Sequence, residues 1–431
     1  MMTTQPQTCN FLNLAGLPWL SFVLLLLAQA TAFAEEPKLI PVKDYESTRP
    51  DGRFQSSLGY VHQYIGMTTP KLSLPDSLTE SEFVAWRSKV RTKLRELMAF
   101  PDVPSQPDPK KLWSKPREGY TLEKWEIYPA PGSVVPILML VPEGTSSKSP
   151  KPVVFCFPGS SGTKEYLANE PEAHPQLKVA AHEEKNRIAF EFVKAGMIAI
   201  AMDHPGSGEL SLLQDGKILG GATRDKLSRD LLYMGWSFVG LSTFEKYQTL
   251  QWVKTLDYVD TKRIALCGHS LGTEPAMALA VLDEDVSALI LNDFVHGKRE
   301  QDLSLAPSMD GKRIYFTGGM WHTVGGLWKW FDLPDLVAAT APRAVLATEG
   351  GVKHSLDDVK RAYALSGAPD NFHVRFMPSF DDPAKRPHDL EPVMNGLHIA
   401  DYYRRSNTNP AEHYFKGHHA VPWLMEQFEI K

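Results

Sequence analysis

The stretch that most limits what this chain can fold into is Ile264-Ala265-Leu266-Cys267-Gly268-His269-Ser270-Leu271-Gly272, a short apolar run that ends in Gly-x-Ser-x-Gly. This pattern sets a serine on a sharp, strained turn between a strand and a helix. Gly268 and Gly272 lack a Cβ, so neighbouring backbones can close in while Ser270 is thrust out of the sheet. The flanks agree: residues 264–267 read as a buried parallel strand, and residues 273–282 as an Ala- and Leu-rich helix. That context separates the motif from a solvated serine in an ordinary turn, and Ser270 is read as an activated nucleophile.

Around this turn the chain alternates strand and helix from Tyr120 onward. Strand-like runs fall at 121–128, 136–141, 152–157, 197–202, 263–267, 287–291, 343–348 and 372–377. Helical runs fall between several of them, at 183–195, 242–256, 273–282 and 356–365. The first two strands read as a hairpin. The later ones are short, Val/Ile/Leu-rich and apolar on both faces, as in a parallel sheet covered on both sides. The expected fold class is therefore α/β, with a mostly parallel eight-stranded sheet and a site beyond the strand carboxyl ends. Two long segments, about 295–335 and 379–410, do not alternate and are read as covers over that site. The first carries Trp321, His322, Trp328, Trp330 and Phe331, which either line a pocket or pack the insert onto the core.

The 431 residues hold 46 Lys and Arg against 51 Asp and Glu, a net charge of −5. That balance implies neither nucleic acid nor an anionic membrane as a partner. The apolar run 17–28 followed by Ala-Thr-Ala-Phe-Ala reads as a signal peptide cleaved after Ala34, although its start lacks Lys and Arg. The run is short of the roughly 20 residues that a membrane span needs, so no stable anchor is expected and the protein is read as secreted or periplasmic. Residues 35–119 form an N-terminal extension with one accessory helix. There Thr79-Glu80-Ser81-Glu82 gives a helix start ahead of Phe83, Trp86, Val90, Leu94 and Leu97 at helical spacing. Residues 120–431 form the main domain. Cys156 and Cys267 lie on core strands, where two buried thiols are the simpler reading, although an oxidising compartment would also permit a bond between neighbouring strands. No metal-ligand spacing of Cys or His is present and no cofactor is implied; the oligomeric state is not legible.

Several motifs together resemble the α/β-hydrolase superfamily, and within it the bacterial acetyl-xylan-esterase-like and dienelactone-hydrolase-like branch. They span roughly 120–431. Phe157-Pro158-Gly159-Ser160-Ser161-Gly162-Thr163-Lys164-Glu165 stands where such enzymes carry a His-Gly-x-Gly-Gly-x-Lys-Glu loop. Asp203-His204-Pro205-Gly206-Ser207-Gly208-Glu209 is similar to their Asp-x-x-Gly-x-Gly turn. Phe331-Asp332-Leu333-Pro334-Asp335-Leu336 and Ala341-Pro342-Arg343 match a further pair of blocks. The resemblance implies a serine hydrolase of carboxylic esters, with a short-acyl ester on carbohydrate as substrate class. It places the oxyanion donors at the backbone N–H groups of Ser160 and Leu271. Pro158 replaces the family's histidine, which leaves main-chain donors intact.

The resemblance also implies a base near the C-terminus. Of His388, His398, His413, His418 and His419, His413 fits best, because Trp423-Leu424 follow it at the family's spacing; Gly417-His418 is the rival match. The acid departs from the family, which carries Asp shortly after the strand that here ends at Thr348. Asp293, after Leu291-Asn292, is taken first and Glu349 second, since either carboxylate could orient the base. Two other classes stay open: a hydrolase fold without activity acting as a binding protein, and a peptidase of the same fold. A dehalogenase is disfavoured because Ser270 holds the position where its Asp nucleophile would stand.

Overall fold

A computed structural model describes residues 47, 49–55, 57–103, 108–173, 183–214, 217–304, 308–309, 312–313, 319–386, 389 and 399–430. The expected leader, and His388 and His398, lie outside the described residues. Among those described, no helix is long and apolar enough to cross a membrane. The described residues belong to one compact unit, Leu39–Lys431.

Helices α1 (Ser57–Met67) and α2 (Glu80–Met98) precede the sheet. The start of α2 is the capping box read from sequence: Thr79 Oγ1 accepts the Glu82 N–H, and Glu82 returns its carboxylate to the Thr79 N–H at 2.8 Å. Phe83, Trp86, Val90, Leu94 and Met98 are buried in the main core. Each contributes roughly 1.5–3 kcal/mol relative to exposure. Met98 takes the place in the stripe expected of Leu97.

The sheet has nine strands: β1 (Lys110–Arg117), β2 (Tyr120–Ile127), β3 (Val135–Pro142), β4 (Lys151–Phe157), β5 (Ile198–Met202), β6 (Val259–His269), β7 (Ala288–Asn292), β8 (Ala344–Ala347) and β9 (Phe372–Val374). Their order is β1-β2-β3-β5-β4-β6-β7-β8-β9. From β5 through β9 every neighbouring pair is parallel, whereas β1, β2 and β3 run antiparallel. All eight expected strands are present. The ninth, β1, was not expected, because it is an exposed edge strand of polar residues containing Pro116 and shows no buried face.

Alternate residues of each central strand enter different cores, as period two requires. Val153, Phe155 and Phe157 of β4 face α2 and helices α5 (Phe238–Val253), α6 (Thr273–Leu282), α7 (Leu333–Ala339) and α8 (Lys353–Leu365). Val154 and Cys156 face α3 (Ile188–Lys194) and α9 (Gly417–Gln427). Cys156 and Cys267 are register partners on β4 and β6, both buried and both free thiols.

The expected helix at 183–195 divides into a 3-10 turn, Glu183–Asn186, and α3. Helix α5 begins four residues earlier than expected because the Ser237 hydroxyl caps it, accepting the Gly240 N–H at 2.9 Å. Helix α4 (Gly220–Tyr233) was not expected. In the first cover segment, Phe331 is buried, Trp330 packs on the main core, and Trp328 donates to Thr68 Oγ1 at 2.9 Å. These three pack rather than line a pocket. Trp321 differs: it packs against a small buried cluster of Leu231, Phe238 and Leu271, the last of which follows Ser270.

Candidate active site

The end of β6 delivers Ser270 with φ of +50°, a left-handed conformation that costs a non-glycine residue about 1–3 kcal/mol. The turn closes only because its flanks are glycine. A Cβ on Gly268 would stand 2.4 Å from the Gly272 carbonyl oxygen, and one on Gly272 would stand 2.5 Å from that of Phe157. The loop after β4 runs alongside: a Cβ built on Gly159 would lie 3.3 Å from the Ser270 Cβ. Ser160, the next residue, and Leu271 therefore both adjoin the serine.

That loop is anchored by the two motifs around it. The Lys164 N–H donates to Asp203 Oδ1 at 2.7 Å, and Lys164 Nζ lies 2.9 Å from Asp203 Oδ2, 2.7 Å from Glu165 Oε1 and 3.2 Å from Glu209 Oε1. Lys164, Glu165 and Asp203 are buried. Burial alone would strip the lysine of its proton, but the three carboxylates outweigh it and raise its pKa above the ordinary value. His204 Nε2 donates to the Pro158 carbonyl at 2.8 Å, and its Nδ1 meets Ser242 Oγ at 3.2 Å. Burial and Lys246 hold His204 neutral.

His413 follows a 3-10 turn just before α9. Its Nδ1 lies 2.6 Å from Glu349 Oε2. The other oxygen of Glu349 accepts Lys416 Nζ at 2.8 Å, and Glu349 is buried. Burial resists ionisation of Glu349, yet His413 and Lys416 hold its pKa below the usual carboxylate value. In turn, burial opposes the imidazolium of His413, but Glu349, with Asp293 adding, raises its pKa to about 9. Asp293, taken first as the acid from sequence, does not make this bond. Its Oδ1 accepts the Phe294 N–H at 2.9 Å, and it lines a cavity of about 40 Å³ with Glu274 and Met277. It stays within 4.8 Å of the donor atoms of Glu349 and His413. Those three groups could in principle hold a metal ion, but the Lys416 ammonium already fixed on Glu349 opposes a divalent cation there. His418, the rival base, is exposed at the start of α9 with its ring 4.1 Å from that of His419.

Two residues that sequence reasoning missed complete the arrangement. Lys416 Nζ also donates to the carbonyls of Tyr414, at 2.7 Å, and Glu412. Asn292, buried at the end of β7, turns its amide nitrogen to His269 Nδ1 at 2.8 Å and to Glu349 Oε1 at 3.3 Å, while its oxygen accepts the Lys416 N–H at 2.8 Å. The His269 ring lies 4.7 Å from that of His413; burial and the imidazolium hold its pKa down to about 3, so it stays neutral. A lone lysine and a lone asparagine carry no motif, and only the Leu291-Asn292-Asp293 run hinted at a polar strand end.

A mixed sheet with parallel centre, helices on both faces, and a strained serine at the end of the central strand define an α/β-hydrolase fold. The chain belongs to the Abhydrolase family, whose model matches residues 41–426. It is similar to a protein from Bacteroides fragilis NCTC 9343 provisionally described as an acetyl xylan esterase: 39% identical, TM-score 0.83, covering 89% of this chain and 98% of that one. A methylesterase shares the fold at 16% identity and TM-score 0.50, over 88% of this chain and 82% of that one. No curated protein matches.

Proposed function

We propose that this protein is a secreted or periplasmic serine hydrolase of carboxylic esters on carbohydrate, working through an acyl-enzyme. The observation that carries the reading is the 2.6 Å contact between His413 Nδ1 and buried Glu349, at the same carboxyl end of the parallel strands as a serine held at φ +50°. With Nδ1–H committed to Glu349, His413 Nε2 is left to accept the Ser270 hydroxyl proton as Oγ attacks the ester carbonyl. The backbone N–H groups of Ser160 and Leu271 receive the oxyanion, and one such donor is worth about 3 kcal/mol. His413 then protonates the leaving alcohol, and water repeats the sequence on the acyl-enzyme. Similarity to the Bacteroides fragilis protein supports a carbohydrate ester as substrate.

The test is fluorophosphonate labelling, read by intact mass, of the wild type and of Ser270→Ala. A single adduct on the wild type alone is expected. A folded wild type that takes no label would reject the hydrolase and leave a binding protein.

Proton removal requires neutral His413, so kcat/KM should rise with pH along a limb centred near 9 rather than near the ordinary 6.5. A profile from pH 5 to 10.5 checks this, and a limb at or below 6.5 would contradict the Glu349 pairing.

A further inference from the structure

Arg224 on α4 is 8% exposed, yet among the described residues no carboxylate pairs with it. Its Nη1 donates to the Ser160 carbonyl and to Ser207 Oγ at 3.1 Å, while its buried Nε has no partner. The guanidinium lies 4.9 Å from the ring of Trp321, whose buried indole N–H is also unpartnered. Trp321 packs against the buried cluster of Leu231, Phe238 and Leu271, and Arg224 holds the Ser160 carbonyl, so this donor pair borders the segments assigned to the oxyanion. Beside them, Glu274 Oε1 meets His322 Nδ1 at 2.7 Å and its buried Oε2 is unmatched.

A buried cation without a counterion is costly, and a bound anion would supply the missing charge. Burial lowers the Arg224 pKa only to about 10, so it stays charged at neutral pH. A planar guanidinium matches a carboxylate better than any neutral group does, and the spare Glu274 oxygen would accept a hydroxyl. We propose that Arg224, with Trp321, forms a subsite for a substrate carboxylate, making the preferred ester one on an acidic sugar such as a uronic acid. This rests on the ester-hydrolase reading and names its substrate class. It requires that the charge, and not only the loop contact to Ser160, be used.

The probes are trigalacturonate and xylotriose, titrated calorimetrically into Ser270→Ala, where binding is read without turnover. The acidic trisaccharide should bind about tenfold tighter or more. Arg224→Met in that background should erase the preference, and Arg224→Lys should keep part of it. Galacturonate should also inhibit the wild type competitively, a readout that needs no variant. Equal binding of both sugars, or a preference that survives Arg224→Met, would overturn the subsite. If Arg224→Met slows acidic and neutral esters equally through kcat with KM unchanged, the residue is only a clamp on Ser160 and the proposal fails. Failure of the wild type to take fluorophosphonate while still binding trigalacturonate would reject the hydrolase reading alone.

Discussion

Glu349→Gln is expected to lower kcat by about 10⁴-fold, a loss of roughly 5.5 kcal/mol of transition-state stabilisation. The amide is nearly isosteric, so the effect is chemical. Glu349 Oε2 accepts the His413 Nδ1–H at 2.6 Å. A glutamine can present its N–H₂ there instead, which fixes the proton on Nε2 and leaves no acceptor for the serine proton. The same change removes the main charge that raises the imidazole pKa, so the acidic limb of the residual activity should move down in pH. Asp293→Asn is expected to cost less than about tenfold, because Asp293 makes no bond to the base and burial holds its pKa above the usual carboxylate range. Both variants would be compared with wild type in kcat on an aryl acetate and in rate of fluorophosphonate labelling, with circular dichroism to confirm folding. The reverse ranking would transfer the orienting role to Asp293.

The ambiguity between these two acids shows where sequence stops short. Strands β7 and β8 are parallel neighbours with Leu291 opposite Ala347, so Asp293 and Glu349 leave the sheet at nearly the same depth. Spacing along the chain cannot separate them. What separates them is Lys416, which reaches Glu349 from the far end of the chain and makes a buried glutamate tolerable. The central strands were legible because apolar runs buried on both faces have few other uses. Helix α4 was not, because its buried residues are Thr223, Arg224, Ser228 and Leu231, a face with almost no apolar period. The elbow was legible for the opposite reason: its glycines are demanded by contacts near 2.5 Å that no side chain could survive.

Lys164→Met is expected to destabilise the fold by about 3–5 kcal/mol, because it strands buried carboxylates without their cation. Asp203 and Glu165 are fully buried, and Asp203 takes both the Lys164 N–H and its ammonium. Burial already pushes the Asp203 pKa up to about 6 against the pull of Lys164. A carboxyl whose folded pKa exceeds its unfolded value of about 3.9 contributes stability that is fully present below the unfolded value and is lost as pH rises through the folded one. Without Lys164 the folded pKa climbs further, so that window moves toward neutrality. The deficit relative to wild type should therefore be largest near pH 8 and smallest near pH 5, measured by urea denaturation at both. A deficit below about 1 kcal/mol at pH 8 would mean that this ionic knot does not hold the fold. The functional consequence follows from position. The knot begins two residues after Gly162, so loosening it frees the loop that brings Ser160 to Ser270. Labelling of Lys164→Met by fluorophosphonate should then fall even at temperatures where the variant remains folded.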